Sequence, residues 1–107
     1  MPQLLQINYK FTVSRAEFES GFAAIAAEIA KLPGLRWKIW LVNEAESSGG
    51  GIYLFDDDES VRAYLNGPIV AALKLYPILT DLSVKVFSVL EGPTAVTRGP
   101  IEESATA

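Results

Sequence analysis

The segment from residue 35 to residue 55 constrains the fold most, because it reads as two aromatic-rich strands joined by a glycine-containing turn. Trp37 and Trp40 are three residues apart in the first of these strands. Side chains alternate across a strand, so this odd spacing places one indole on each face of a sheet. Both faces therefore need a cover. Helices of this chain can cover one face, and we expect a partner chain or a bound ligand to cover the other.

The amino-acid composition excludes several classes of function. A chain of 107 residues that is 50% hydrophobic is expected to form one compact domain. It has neither the run of about 20 apolar residues that a membrane span needs nor the order of a signal peptide, so we expect a soluble, cytoplasmic protein. The sequence contains no Cys and no His, which excludes disulfides, thiol chemistry and histidine-based nucleophiles. A net charge of −4 argues against nucleic acid and anionic membranes as partners.

Periodicity along the chain predicts the order βαββαβ. Alternating positions predict strands over residues 4–11, 35–45, 50–55 and 82–90, and helical spacing predicts helices after Ser14 and after Asp56. Gly67-Pro68 divides the second helical region into two short helices. The simplest architecture is a ferredoxin-like α+β sandwich, with an antiparallel four-stranded sheet and its helices on one face. Residues 1–91 are predicted to form this domain, and residues 92–107 an extended or disordered tail.

In each predicted strand, we assign the alternate positions that carry more apolar residues to the face covered by the helices. This assignment places Tyr9, Trp37 and Asn43 toward the helices, where Tyr64 joins them from a helix. Aromatic residues at such spacings are also ordinary core residues, and Asn43 near a strand end also suits a turn. The opposite parity leaves Trp40 and Phe87 on the other face, where they are expected to contact a second copy in a symmetric sheet-to-sheet homodimer. Lys38 reads as a charge that protects a strand edge.

Two polar runs resemble ligand sites but have simpler readings. The acidic run from Asp56 to Glu59 lacks the spacing and the glycine of a cation loop, so it reads as a helix N-terminus and no metal site is predicted. The run from Ser47 to Gly51 lacks the lysine and the following helix of a phosphate loop, so it reads as a turn.

Several short motifs, in this order, resemble the YdhR-type mono-oxygenases of the dimeric α+β barrel superfamily. They are L-L-Q at residues 4–6, L-P-G-L-R-W-K-I-W at 32–40, G-G-I-Y-L-F at 50–55, A-Y-L at 63–65 and V-K-V-F at 84–87. The resemblance covers roughly residues 3–91 and implies a homodimer with an apolar pocket in each subunit. It also implies oxygenation of a small aromatic or quinol-type substrate without a bound metal or flavin.

In that chemistry the ionised substrate reduces dioxygen directly, and the protein supplies a dry cavity, a base and oxyanion donors. The resemblance makes Asn43 and Tyr53 candidate catalytic residues, and Tyr9, Trp37 and Tyr64 candidate substrate-binding residues. Tyr53 is equally consistent with a packed side chain whose hydroxyl is satisfied. A non-catalytic small-molecule-binding or stress-related dimer on the same fold is the alternative. An RNA-recognition module shares the element order, but the acidic charge and the missing strand motif count against it.

Overall fold

The computed structural model describes residues 2–101, which contain four strands and five helices. The strands are β1 (Gln3–Phe11), β2 (Leu35–Asn43), β3 (Ser48–Phe55) and β4 (Leu79–Ser88). The helices are α1 (Arg15–Glu19), α2 (Phe22–Ala30), α3 (Asp58–Leu65), α4 (Pro68–Leu75) and α5 (Glu91–Val96). The helices described here are at most nine residues long, and none of them can span a membrane.

The strands form one antiparallel sheet in the order β2-β3-β1-β4. The core lies between one face of this sheet, which we call the helix face, and helices α1 to α4. Strand β1 shows the alternation clearly, because its odd-numbered side chains from Leu5 to Phe11 are buried on the helix face. This arrangement confirms the predicted ferredoxin-like α+β fold.

Local sequence signals explain where the helices begin. The Ser14 hydroxyl accepts a hydrogen bond from the Glu17 amide at 3.3 Å, so the predicted cap is present. The helix predicted after it is broken near Gly21, which gives the two short helices α1 and α2. Asp57 caps α3 by accepting from the Ser60 amide at 2.8 Å, which confirms the helix-terminus reading of the acidic run. Helix α4 begins with Pro68, as predicted.

The turn between β2 and β3 lies earlier than predicted. It comprises residues 44–47, and the three consecutive glycines Gly49, Gly50 and Gly51 belong to β3, where they are buried. The prediction that residues 47–51 form a turn was therefore wrong for the glycines, although the predicted strand over residues 50–55 correctly included Gly50 and Gly51. Their missing side chains leave room for neighbours: a Cβ at Gly49 would lie 2.6 Å from the Phe18 ring, and one at Gly51 would lie 2.5 Å from Lys38 Cε.

Strand β2 contains an irregularity that reverses the predicted assignment of its faces. Leu35 pairs with Phe55 and Trp37 pairs with Leu54, so Arg36 is an extra residue between two successive pairs. Lys38 then pairs with Tyr53 on the helix face. The tryptophans do lie on opposite faces. However, Trp40 lies on the helix face and Trp37 on the other, opposite to the prediction.

The face opposite the helices, which we call the open face, is partly covered by the chain's own C-terminal segment, residues 91–101. This segment leaves β4 at one edge of the sheet and reaches β2 at the other edge, where the Trp37 indole donates to the Pro100 carbonyl at 2.7 Å. Leu54, which lies on the open face, is fully buried. The expectation that only a partner or ligand would cover this face was wrong. The segment begins with helix α5, so residues 91–96 are not extended, and residues 102–107 of the predicted tail lie outside the described residues.

Candidate functional site

A pair of buried tyrosines forms the centre of the candidate site. Tyr53 comes from β3 and Tyr64 from α3, and their hydroxyl oxygens are 2.7 Å apart. The Asp57 cap fixes the start of α3, so Tyr64 falls two turns into the helix on its buried side. Tyr9 from β1 lies on the same helix face and is also buried. The structure thus brings together three of the side chains that the sequence nominated.

The protonation of these phenols follows from their burial. Burial raises the pKa of Tyr9 to about 12, and burial together with the neighbouring phenols raises the pKa of Tyr53 above its ordinary value. Burial also raises the pKa of Tyr64, although its hydrogen bond with Tyr53 partly opposes this effect. All three groups are therefore protonated at neutral pH. They can donate hydrogen bonds to a substrate oxygen, but they are not bases.

Lys38 is the residue that the sequence analysis missed. Its ammonium nitrogen lies 3.4 Å from the centroid of the Trp40 ring and 4.4 Å from that of Tyr53. Burial lowers the pKa of Lys38 to about 7. The reading of Lys38 as an edge-protecting charge was wrong, because its side chain lies on the helix face rather than in solvent. Gly51, which pairs with Trp40, is the sequence signal that would have found it, since the missing side chain leaves space for the long side chain of Lys38.

Trp40 completes the aromatic wall of the site. Its ring lies 4.9 Å from that of Phe22, centroid to centroid, and it packs against the core. The placement of Trp40 on the outer face as a dimer contact is therefore wrong. The missed bulge at Arg36 explains the error, because it changes the parity of every later residue in β2 relative to Leu35.

Trp37 and Asn43 are not part of this cluster. Trp37 lies on the open face beneath the C-terminal segment. Asn43 is exposed at the end of β2, where its side-chain amide donates to the Glu46 carboxylate at 3.0 Å and accepts from the Glu46 backbone at 3.2 Å. Of the two roles weighed for Asn43, the structure shows the turn.

Clefts lead to the site from the helix layer. A cavity of about 340 Å³ between α2 and α3 is lined by Tyr64. It shares Glu28, Pro68 and Ile69 with a larger, mostly apolar cavity of about 790 Å³ between α2 and α4. Volumes in this range suit a small organic ligand. Trp40 lines a separate cavity of about 380 Å³. Within residues 2–101, no three or more side chains of the metal-ligating types converge on a common point.

Comparisons with solved structures find oxygenases among the matches. An asparagine-to-alanine variant of SnoaB, a cofactor-independent oxygenase from Streptomyces nogalater, is 25% identical, with a TM-score of 0.69 over 84% of this chain and 94% of that one. The heme-degrader MhuD from Mycobacterium tuberculosis, whose structure has two hemes bound in its active site, is 26% identical, with a TM-score of 0.63 over 81% and 95% of the two chains. No curated protein matches.

A family model gives the most direct assignment. The model described as "Putative mono-oxygenase ydhR" matches residues 4–100, which include all four strands and the cluster around Tyr53. The match extends past the resemblance noted from the motifs and includes helix α5. On this evidence, the chain belongs to the ydhR mono-oxygenase family.

Proposed function

We propose that this protein is a mono-oxygenase that acts, without a bound cofactor, on a small aromatic or quinol-type compound. The observation that carries the proposal is the buried Tyr53 and Tyr64 hydroxyl pair beside a largely apolar cleft between α2 and the α3–α4 pair. The cleft offers an apolar compound a place to bind. One hydroxyl of the pair donates to the other, which leaves one O–H to donate to an oxygen of the compound. Membership of the ydhR family and the likeness to SnoaB support the choice of reaction.

In the proposed reaction the substrate supplies the electrons. For an anthrone-type compound, the activated methylene loses two hydrogens and gains one oxygen atom of dioxygen as a carbonyl, while the second oxygen atom leaves as water. Ionisation of the substrate makes it reactive enough to reduce dioxygen directly. The protein then needs to exclude water and to donate hydrogen bonds to the developing oxyanion, which is the proposed task of Tyr53 and Tyr64. Tyr9 lines the same buried layer and is proposed to contact the substrate ring.

Oxygen uptake with a panel of hydroquinones and anthrones tests this proposal. Tyr53→Phe is expected to lower kcat by about 100-fold, the usual effect of removing one oxyanion donor. Asn43→Ala is the matched control and is expected to leave kcat unchanged, because Asn43 belongs to the hairpin turn. Absence of oxygen uptake with every compound, or equal rates for Tyr53→Phe and the wild type, would refute the proposal. Binding without turnover would instead favour the non-catalytic small-molecule-binding dimer.

We also propose that the protein is a homodimer that packs open face to open face. Ile39 and Phe87 lie on this face and are 51% and 45% exposed, and the C-terminal segment covers only one end of it. Apolar side chains in such a patch are typical of an interface. Of the two dimer contacts expected from the sequence, only Phe87 remains in this proposal.

A further inference from the structure

Lys38 lies in an unusual place for a lysine. Its side chain is partly buried between two aromatic rings on the helix face, and its Cε lies where a Cβ of Gly51 would otherwise be. It is also adjacent to the proposed site, because it contacts the ring of Tyr53, whose hydroxyl is bonded to that of Tyr64. Two of its neighbours line cavities: Trp40 lines one, and Tyr64, which is bonded to Tyr53, lines another.

The described side chains around Lys38 provide no negative charge that would balance its ammonium. Within residues 2–101, no carboxylate oxygen lies within 4.0 Å of its nitrogen. The titratable group that contacts it is the protonated phenol of Tyr53 in β3, which is bonded to that of Tyr64 in α3. From the α1 side, Arg15 and Glu19 line the Trp40 cavity but pair with each other at 2.8 Å. A buried ammonium without a counter-ion is costly, so an anionic ligand would be stabilised here.

We infer that Lys38 is the group that ionises the substrate of this site: its amine accepts the proton of an acidic phenol and holds the resulting phenolate as an ion pair. The phenol O–H bond breaks, an N–H bond forms on Nζ, and the electron pair stays on the phenolate oxygen, so no further reactant is needed. The inference rests on the proposed function for the location of the site and for the aromatic class of its ligand. It adds the base that the neutral tyrosines do not provide.

The electrostatics of the site are consistent with this role. Burial brings the pKa of Lys38 to about 7, so a substantial fraction of the amine is neutral at physiological pH and is able to accept a proton. Once protonated, the ammonium lies over the face of the Trp40 ring, a favourable arrangement for a cation. An aromatic phenolate would bring both a negative charge for the ammonium and a ring for the aromatic wall.

A redox-inert phenol tests the inference apart from oxygenation. The probe is 4-nitrophenol at neutral pH, where it is a mixture of the colourless phenol and the coloured phenolate. Binding to the wild type is expected to increase the phenolate absorbance. Lys38→Met, which keeps the length of the side chain and removes the amine, is expected to abolish this increase and to weaken binding about tenfold. Lys74→Met is the matched control, because Lys74 is exposed on α4, away from the open face, and it is expected to behave as the wild type.

Two further probes sharpen the test. 4-Nitroanisole has no acidic proton and is expected to bind the wild type and Lys38→Met equally. 4-Nitrobenzoate is already ionised, and a dependence on Lys38 for this probe alone would overturn the inference of proton transfer. The inference is also overturned if 4-nitrophenol does not bind, if it binds the wild type as the neutral phenol, or if Lys38→Met gives the same phenolate absorbance. Circular dichroism of each variant confirms its fold. The readout is binding, so an increase in phenolate without any oxygen uptake would refute the oxygenase proposal and not this one.

Discussion

At the scale of single residues, Lys38 shows how burial couples protonation to stability. Its ammonium is partly removed from water, and no carboxylate of residues 2–101 lies within 4.0 Å of it. Sequence alone gave no reason to expect this, because a lysine in an edge strand is normally solvated. Lys38 could be recognised as a site residue only once the pairing of β2 with β3 was known, since Gly51, the partner of Trp40, provides the space for its side chain.

The first prediction concerns the pH dependence of stability. Burial lowers the pKa of Lys38 from 10.5 to about 7, so between these values the unfolded chain binds more protons than the folded one. The free energy of unfolding therefore rises with pH through this window, by at most about 1.4 kcal/mol per pH unit. The tyrosines act in the opposite sense, because Tyr9, whose pKa is raised from 10.0 to about 12, is more protonated in the folded state above pH 10.

Urea denaturation at a series of pH values between 7 and 10 measures the slope, and Lys38→Met is expected to remove most of it. Lys74→Met should keep the wild-type slope, because that lysine is exposed on α4. Parallel curves for the wild type and Lys38→Met would show that the amine of Lys38 has an ordinary pKa.

At the scale of elements, the sequence predicted the type of each strand and helix better than the direction of its side chains. Strand β1 alternates regularly, and its buried face was predicted correctly. Strand β2 has apolar residues at both odd and even positions, so hydrophobicity did not show which set faces the helices. The bulge at Arg36 could not be recognised from the sequence of the strand. The turn was misplaced because glycines usually mark turns, whereas here they allow close packing against Phe18 and Lys38.

A second prediction belongs to the C-terminal segment. Trp37→Phe keeps an aromatic ring on the open face but removes the indole donor to the Pro100 carbonyl. Losing one such hydrogen bond costs about 1 kcal/mol, so amide exchange in residues 91–101 is expected to accelerate about fivefold. Hydrogen-exchange mass spectrometry measures this, and Trp40→Phe serves as the control because Trp40 lies on the helix face. Unchanged exchange in Trp37→Phe would show that other contacts hold the segment.

At the scale of the whole molecule, the two faces of the sheet are covered by different elements. Helices α1 to α4 cover the helix face except at its β4 edge, where Val84 and Val86 are exposed. Within residues 2–101, the open face has only the C-terminal segment, and Ile39 and Phe87 are exposed there. In the proposed homodimer, these exposed side chains of the open face are buried against a second copy, since two such sheets can stack at about 10 Å separation. Such an interface would leave the clefts between the helices accessible to a ligand.

A third prediction follows for the assembly. The wild type is expected to be a dimer by light scattering, and Phe87→Asp is expected to give a monomer, since it places a charge in the proposed apolar interface. Leu75→Asp is the control, because Leu75 is 83% exposed on the helix layer and should not affect the mass. A monomeric wild type, or a dimeric Phe87→Asp, would contradict the proposed packing.

The bulge in β2 also affects how the C-terminal segment is attached to the sheet. The pairing of Leu35 with Phe55 and of Trp37 with Leu54 would be regular if Arg36 were absent, so the strand carries one residue more than its ladder requires. That surplus residue forms an ion pair with Asp56 at 2.6 Å and donates to the Ile101 carbonyl. Arg36 therefore links the start of β2, the end of β3 and the C-terminal segment. The bulge makes this link possible, because it leaves Arg36 without a partner in the β2–β3 ladder.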